Sequence, residues 1–63
     1  MAKPTAGQLE VLSRIAEMMA GGQLRTLNKT DLKQCEDEYW VEMVGGTPSL
    51  TDDGRAILAA NSR

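Results

Sequence analysis

The sequence predicts a small α+β domain in the order helix, helix, two-stranded hairpin, helix. Three observations carry that prediction. Apolar residues recur at helical spacing up to Met19 and again from Leu32; the spacing turns to alternation after Trp40; and Gly45-Gly46 stands where a hairpin must reverse. The chain has 63 residues, enough for one domain spanning 1–63 and for no second.

The first helix is expected over roughly 5–20. Thr5 follows Pro4 and precedes Gln8 by three positions, the spacing of a capping box. Leu9, Leu12, Ile15, Ala16 and Met19 form its apolar stripe, widened by Val11 and Met18, and Gly21-Gly22 supplies the stop. Glu10 and Arg14 sit at i,i+4 on the outer face.

A short extended connector, Gln23 to Leu27, leads to Asn28, a candidate N-cap. Leu27 before that cap and Leu32 beyond it fit a hydrophobic staple. Leu32, Cys35 and Tyr39 continue the stripe of a second helix, expected over about 29–38, with Cys35 as a small buried thiol. Trp40 to Val44 read as a strand, Gly45-Gly46 as its turn, and Thr47 to Leu50 as the return, with Pro48 confining that strand to an edge. Thr51 caps a last helix whose Asp52 and Asp53 suit the positive end of the helix dipole. Ile57, Leu58 and Ala60 face its apolar side, and it frays near Asn61. Residues 1–4 and 62–63 fall outside these elements and are expected to be disordered.

Composition narrows the function classes. The chain has no histidine, which removes the usual participant in acid–base, triad and zinc chemistry. With Cys35 as the single cysteine, neither an intrachain disulfide nor a thiolate metal site is available. Ser13, Ser49 and Ser62 have no histidine to activate them, and so short a chain offers little volume for a substrate pocket. No stretch approaches the roughly 18 apolar residues of a membrane span, and the start lacks a signal-peptide core. The expectation is a cytoplasmic, non-enzymatic domain with no cofactor and no metal. So small a core leaves stability marginal, and a homodimer is one way to add to it.

Charge is unevenly placed. Residues 1–33 carry Lys3, Arg14, Arg25, Lys29 and Lys33 against Glu10, Glu17 and Asp31, a balance of +2. Residues 34–63 carry Arg55 and Arg63 against Glu36, Asp37, Glu38, Glu42, Asp52 and Asp53, a balance of −4. The total of −2 gives no general attraction to phosphate, so a nucleic acid would have to be met by one basic face.

From Asp31 to Leu58 the sequence resembles the distal half of a winged-helix DNA-binding domain. There, a helix ending in LxxLExxGLV leads into a two-stranded wing, closed by a strand and helix reading LTxxGRxxL. Here Leu32-Lys33-Gln34-Cys35-Glu36 and Tyr39-Trp40-Val41-Glu42 are followed by the Gly-Gly turn and then by Leu50-Thr51-Asp52-Asp53-Gly54-Arg55-Ala56-Ile57-Leu58. The last nonapeptide is similar to that of regulators of the multiple-antibiotic-resistance type, and with the first helix the resemblance touches about 50 residues. It departs in two places. A full winged helix has two helices between the first helix and the wing, where this chain has room for one. The recognition-helix position also carries Glu36-Asp37-Glu38, which repel phosphate.

The resemblance implies a winged-helix-like fold and a DNA-binding transcriptional regulator of bacterial or phage type. Contacts to duplex DNA would come from Arg25, Lys29 and Lys33, with Thr30 and Gln34 available for base edges; Lys29 and Lys33 share one helical face by their i,i+4 spacing. Gly45, Gly46 and Thr47 would form the wing tip. The plainer reading of the basic residues is an ordinary solvated face. The alternative function is a protein–protein interaction module with the same fold and no DNA binding. It would act as a dimer or through Glu36, Asp37, Glu38, Trp40 and Glu42, as a docking face for a basic partner or an imitation of a phosphate surface. The plainer reading of those acids is solubility and capping. With no phenylalanine in the chain, at least one of Tyr39 and Trp40 belongs in the core, and the other is open to either role.

Overall fold

A computed structural model describes residues 3–23 and 26–61. The order is α1 (Ala6–Met19), α2 (Lys29–Asp37), β1 (Val41–Val44), β2 (Thr47–Leu50) and α3 (Asp52–Asn61). This is the α+β, winged-helix-like order expected from the sequence. Helix bounds fall within a residue of expectation, and the first strand begins at Val41 rather than Trp40. Leu24 and Arg25 in the connector, and Met1, Ala2, Ser62 and Arg63 at the ends, lie outside the described residues.

Local chemistry sets each boundary. The Gln8 amide donates to Thr5 Oγ1 at 3.1 Å while the Thr5 amide donates to Gln8 Oε1 at 3.0 Å, so the capping box closes α1 from both sides. At its far end the Gly22 amide reaches Glu17 O and the Gly21 amide reaches Met18 O, a Schellman cap. Asn28 Oδ1 accepts the Asp31 amide at 3.1 Å and starts α2. Arg14, besides its i,i+4 pair with Glu10, donates to Thr26 O at 2.7 Å and so ties the connector to α1.

β1 and β2 pair antiparallel, with Val41 opposite Leu50 and Val44 opposite Thr47. Gly45 and Gly46 have φ of +58° and +81°, the two positive values a type I′ turn demands. A two-residue turn makes Val44–Thr47 a hydrogen-bonded pair, so bonded and non-bonded pairs alternate from there. Met43–Pro48 is then non-bonded, which is why a residue without an N–H fits at Pro48. The Leu50 amide also points away from β1, and Met19 Sδ lies 3.2 Å from it. The alternation extends past the strands, where the Thr51 amide donates to Trp40 O at 3.0 Å.

Side chains of one hairpin face, Val41 and Leu50, enter a core completed by Val11, Leu12, Ile15, Cys35 and Trp40. Leu9, Ala16, Leu27, Leu32, Ile57 and Leu58 pack around it, so both leucines of the predicted staple are in contact with the core. α1 packs against α2, β2 and α3 and is the central element.

The corner between β2 and α3 explains the Leu50–Leu58 pattern. Thr51 Oγ1 accepts the Gly54 amide at 3.0 Å and its hydroxyl donates to Tyr39 O. Gly54 is buried against the backbone of Trp40: a Cβ at position 54 would lie 2.0 Å from the Trp40 carbonyl oxygen. One threonine therefore caps α3 and holds the end of α2, and one glycine lets α3 pass under the start of the hairpin.

Candidate functional site

α2 presents the basic residues. Its 3.6-residue period turns Asp31, Leu32, Cys35 and Glu36 toward the body of the fold, and leaves Lys29, Thr30, Lys33, Gln34 and Asp37 in solvent. Lys29 and Lys33 make no ion pair with any described residue. Gln34 is differently engaged, since its Oε1 accepts from Gln8 Nε2 at 2.6 Å across the α1–α2 junction. Of the residues read as base-edge groups, Thr30 is thus free and Gln34 is half committed. Arg25 lies outside the described residues.

The charges on α2 are mixed at its start and acidic at its end. Lys29 and Asp31 share the first turn, Lys33 follows at mid-helix, and Glu36, Asp37 and the capping Glu38 lie at the negative end, where no base is present. Each acid at that end disfavours the helix by roughly 0.3–1 kcal/mol at low ionic strength.

The hairpin tip is open. Gly45, Gly46 and Thr47 are exposed, and neither strand carries a base, so only backbone amides and the Thr47 hydroxyl are offered to an anion. Apolar Met43 and Val44 beside the tip are 50% and 57% exposed: Met43 shares the face of Val41, and Val44 lies on the opposite face with Glu42.

Trp40 corrects the reading of the acidic face. Trp40 is 6% exposed and packs in the core, so it cannot act as a partner-facing anchor; Tyr39, at 77% exposure, is the ring in solvent. The cause is the end of α2, a second Schellman cap. The Trp40 amide donates to Cys35 O and the Tyr39 amide to Glu36 O. That puts Tyr39 at φ +61°, the left-handed position that Gly21 fills after α1, and swings Trp40 inward onto Cys35. No glycine follows Glu38, so a tyrosine takes the strained position, and its ring projects outward.

Tyr39 forms one wall of an open cleft of about 590 Å³ between the end of α2, the hairpin and the start of α3. Glu42, Asp52, Asp53 and Arg55 line it, three acids and one base. None of the three carboxylates is ion-paired with a described residue. Glu36 is half-buried on the core side of α2, while Asp37 and Glu38 are exposed. The sequence sets Glu42 and the Asp52-Asp53 pair with the acidic run and leaves either Tyr39 or Trp40 as an exposed ring; the fold gives that place to Tyr39 and brings Glu42, Asp52 and Asp53 into one cleft.

Cys35 is fully buried, its Sγ 3.8 Å from Gln8 O. Burial, with a smaller contribution from the Asp31 charge, pushes its thiol up to about 11. The folded chain thus holds this proton more tightly than the unfolded one, whose thiol titrates near 9.0. The resulting stability is complete below that value and lost as pH rises toward the folded one. Urea midpoints should be flat from pH 7 to about 8.5 and then fall, with a loss on the order of 2 kcal/mol by pH 11. The Cys35→Ala chain should lack that alkaline loss.

Among the described residues no group of three His, Cys, Asp or Glu side chains could hold a metal ion, and no helix is long and apolar enough to cross a membrane. No protein-family model matches the chain, and no curated protein or solved structure is significantly similar to it.

Proposed function

We propose that the chain is a small, non-enzymatic, cytoplasmic DNA-binding protein of winged-helix type, a transcriptional regulator of bacterial or phage kind, with α2 as its DNA-facing helix. The observation that carries this reading is the outward face of α2: Lys29, Thr30 and Lys33 stand free in solvent on the N-terminal half of the helix. A recognition helix contacts base edges with its N-terminal residues while lysines hold phosphates. The acidic C-terminal half requires α2 to enter a groove N-terminus first. With two lysines on phosphate, affinity falls with salt at a log–log slope of about −1.8.

An amide NMR titration with random duplex DNA, at about 20 mM and about 150 mM salt, tests this reading. Shifts at Lys29–Gln34 and Gly45–Thr47 that reverse with salt, and vanish in the Lys29→Glu, Lys33→Glu double variant, are the expected result. Silence at the lower salt overturns it.

One observation favours the second reading, a protein–protein module. Tyr39 is displayed at 77% exposure from a backbone fixed by three hydrogen bonds, and exposed aromatics dominate interface hot spots. Under that reading the lysine changes are silent and Tyr39→Ser abolishes capture of the partner.

A further inference from the structure

The outer face of α2 and the Tyr39 cleft are complementary surfaces on one chain. The first is a helix face with two unpaired cations, Lys29 and Lys33, one turn apart. The second is a cleft with an exposed aromatic wall, three unpaired carboxylates, Glu42, Asp52 and Asp53, and one cation, Arg55, so that acids outnumber bases three to one. An ammonium group is attracted both to the face of a tyrosine ring and to carboxylates around it. Within one copy the two surfaces do not pair with each other.

We propose that the α2 lysine face docks into the Tyr39 cleft of a second copy of this chain. The contact is heterologous, since the surface given differs from the surface received, so association continues beyond a dimer unless the rotation closes a ring. It also occupies the two lysines on which DNA binding rests, so self-association and DNA binding exclude one another. The self-association itself does not depend on the DNA-binding reading.

Sedimentation equilibrium of the intact chain is the test, at about 20 mM and about 300 mM salt, where the screening length shortens severalfold. At low salt the weight-average mass should rise with concentration above the 6.8 kDa of the monomer, and return to it at high salt. Two double variants decide the contact. Lys29→Glu with Lys33→Glu spoils the docking face; Glu42→Lys with Asp53→Lys spoils the cleft. Each alone should be monomeric, and their equimolar mixture should associate again, because each retains or regains the complement of the other.

All four positions are exposed, and far-UV circular dichroism checks that both variants fold. A wild-type chain that stays monomeric at about 1 mM and low salt overturns the proposal, that concentration being where even weak contacts register. So does association that survives both double variants, or a mixture that remains monomeric. The DNA titration is scored separately on the cleft variant. Its shifts at Lys29–Gln34 should persist, because that face is unchanged.

Discussion

Replacing Gly54 by alanine is expected to unfold the chain. The added Cβ would sit 2.0 Å from the Trp40 carbonyl oxygen and 2.9 Å from its carbon, which are backbone atoms with no rotamer to change. Moving Trp40 breaks the bond its carbonyl accepts from the Thr51 amide, and with it the Thr51 hydroxyl bond to Tyr39 O. Moving α3 instead lifts Ile57 and Leu58 off the core. Either escape costs about 4 kcal/mol or more by the measure of overpacked and broken-network mutants. A domain of this size holds roughly 3–9 kcal/mol in all. Loss of amide dispersion in a proton–nitrogen NMR spectrum at 25 °C is the readout. A folded Gly54→Ala chain would show that the corner yields. Gly45→Asn is the control: nothing lies within 4 Å of a Cβ there, and asparagine accepts the left-handed φ, so that variant should stay within about 0.5 kcal/mol of the parent.

Trp40→Ala should be nearly as damaging, with a loss of about 3–5 kcal/mol, whereas Tyr39→Gly beside it should stabilise by up to about 1 kcal/mol. The contrast follows from the second Schellman cap. One ring fills the space against Cys35, Val41 and Leu50; the other is solvated and holds its backbone in a conformation that glycine adopts without strain. Trp40 is the chain's single tryptophan, so urea melts of the variants must be followed by far-UV circular dichroism. Equal losses at 39 and 40 would remove the distinction between core ring and surface ring.

These two neighbours also mark where reading the sequence runs out. Thr5 with Gln8, Asn28 before Lys29, the paired glycines and Thr51 before two aspartates are local signals. Each acts through atoms three or four residues away, and each predicted its boundary to within a residue. The outward lysines of α2 follow from its period in the same way. Tyr39 and Trp40 are different: a Schellman cap closed by a tyrosine instead of a glycine carries no sequence signature, so the sequence does not say which ring turns inward. The Gln8–Gln34 bond, which takes up a residue read as a base-edge group, is a contact across 26 positions. Gly54 was legible as part of the Leu50–Leu58 pattern, while the Trp40 carbonyl that requires a glycine there was not. Met43 alternates with Val41 on the face that packs on the core, and nothing local says that it stays half exposed.

The hairpin's two edges have different fates in a crowded solution. An amyloid-like stack grows by adding a strand above and a strand below, so each molecule must offer amide donors on both edges. Along β2 the outward positions are Pro48, which has no donor, and Leu50, whose donor is given to Met19. Along β1 the amides of Val41 and Met43 remain open, with apolar Met43 and Val44 exposed beside them. The sheet can be extended on one side and is terminated on the other. Two such hairpins meeting edge to edge would close off each other's open strand, and a β-fibre built on this hairpin would end at two copies.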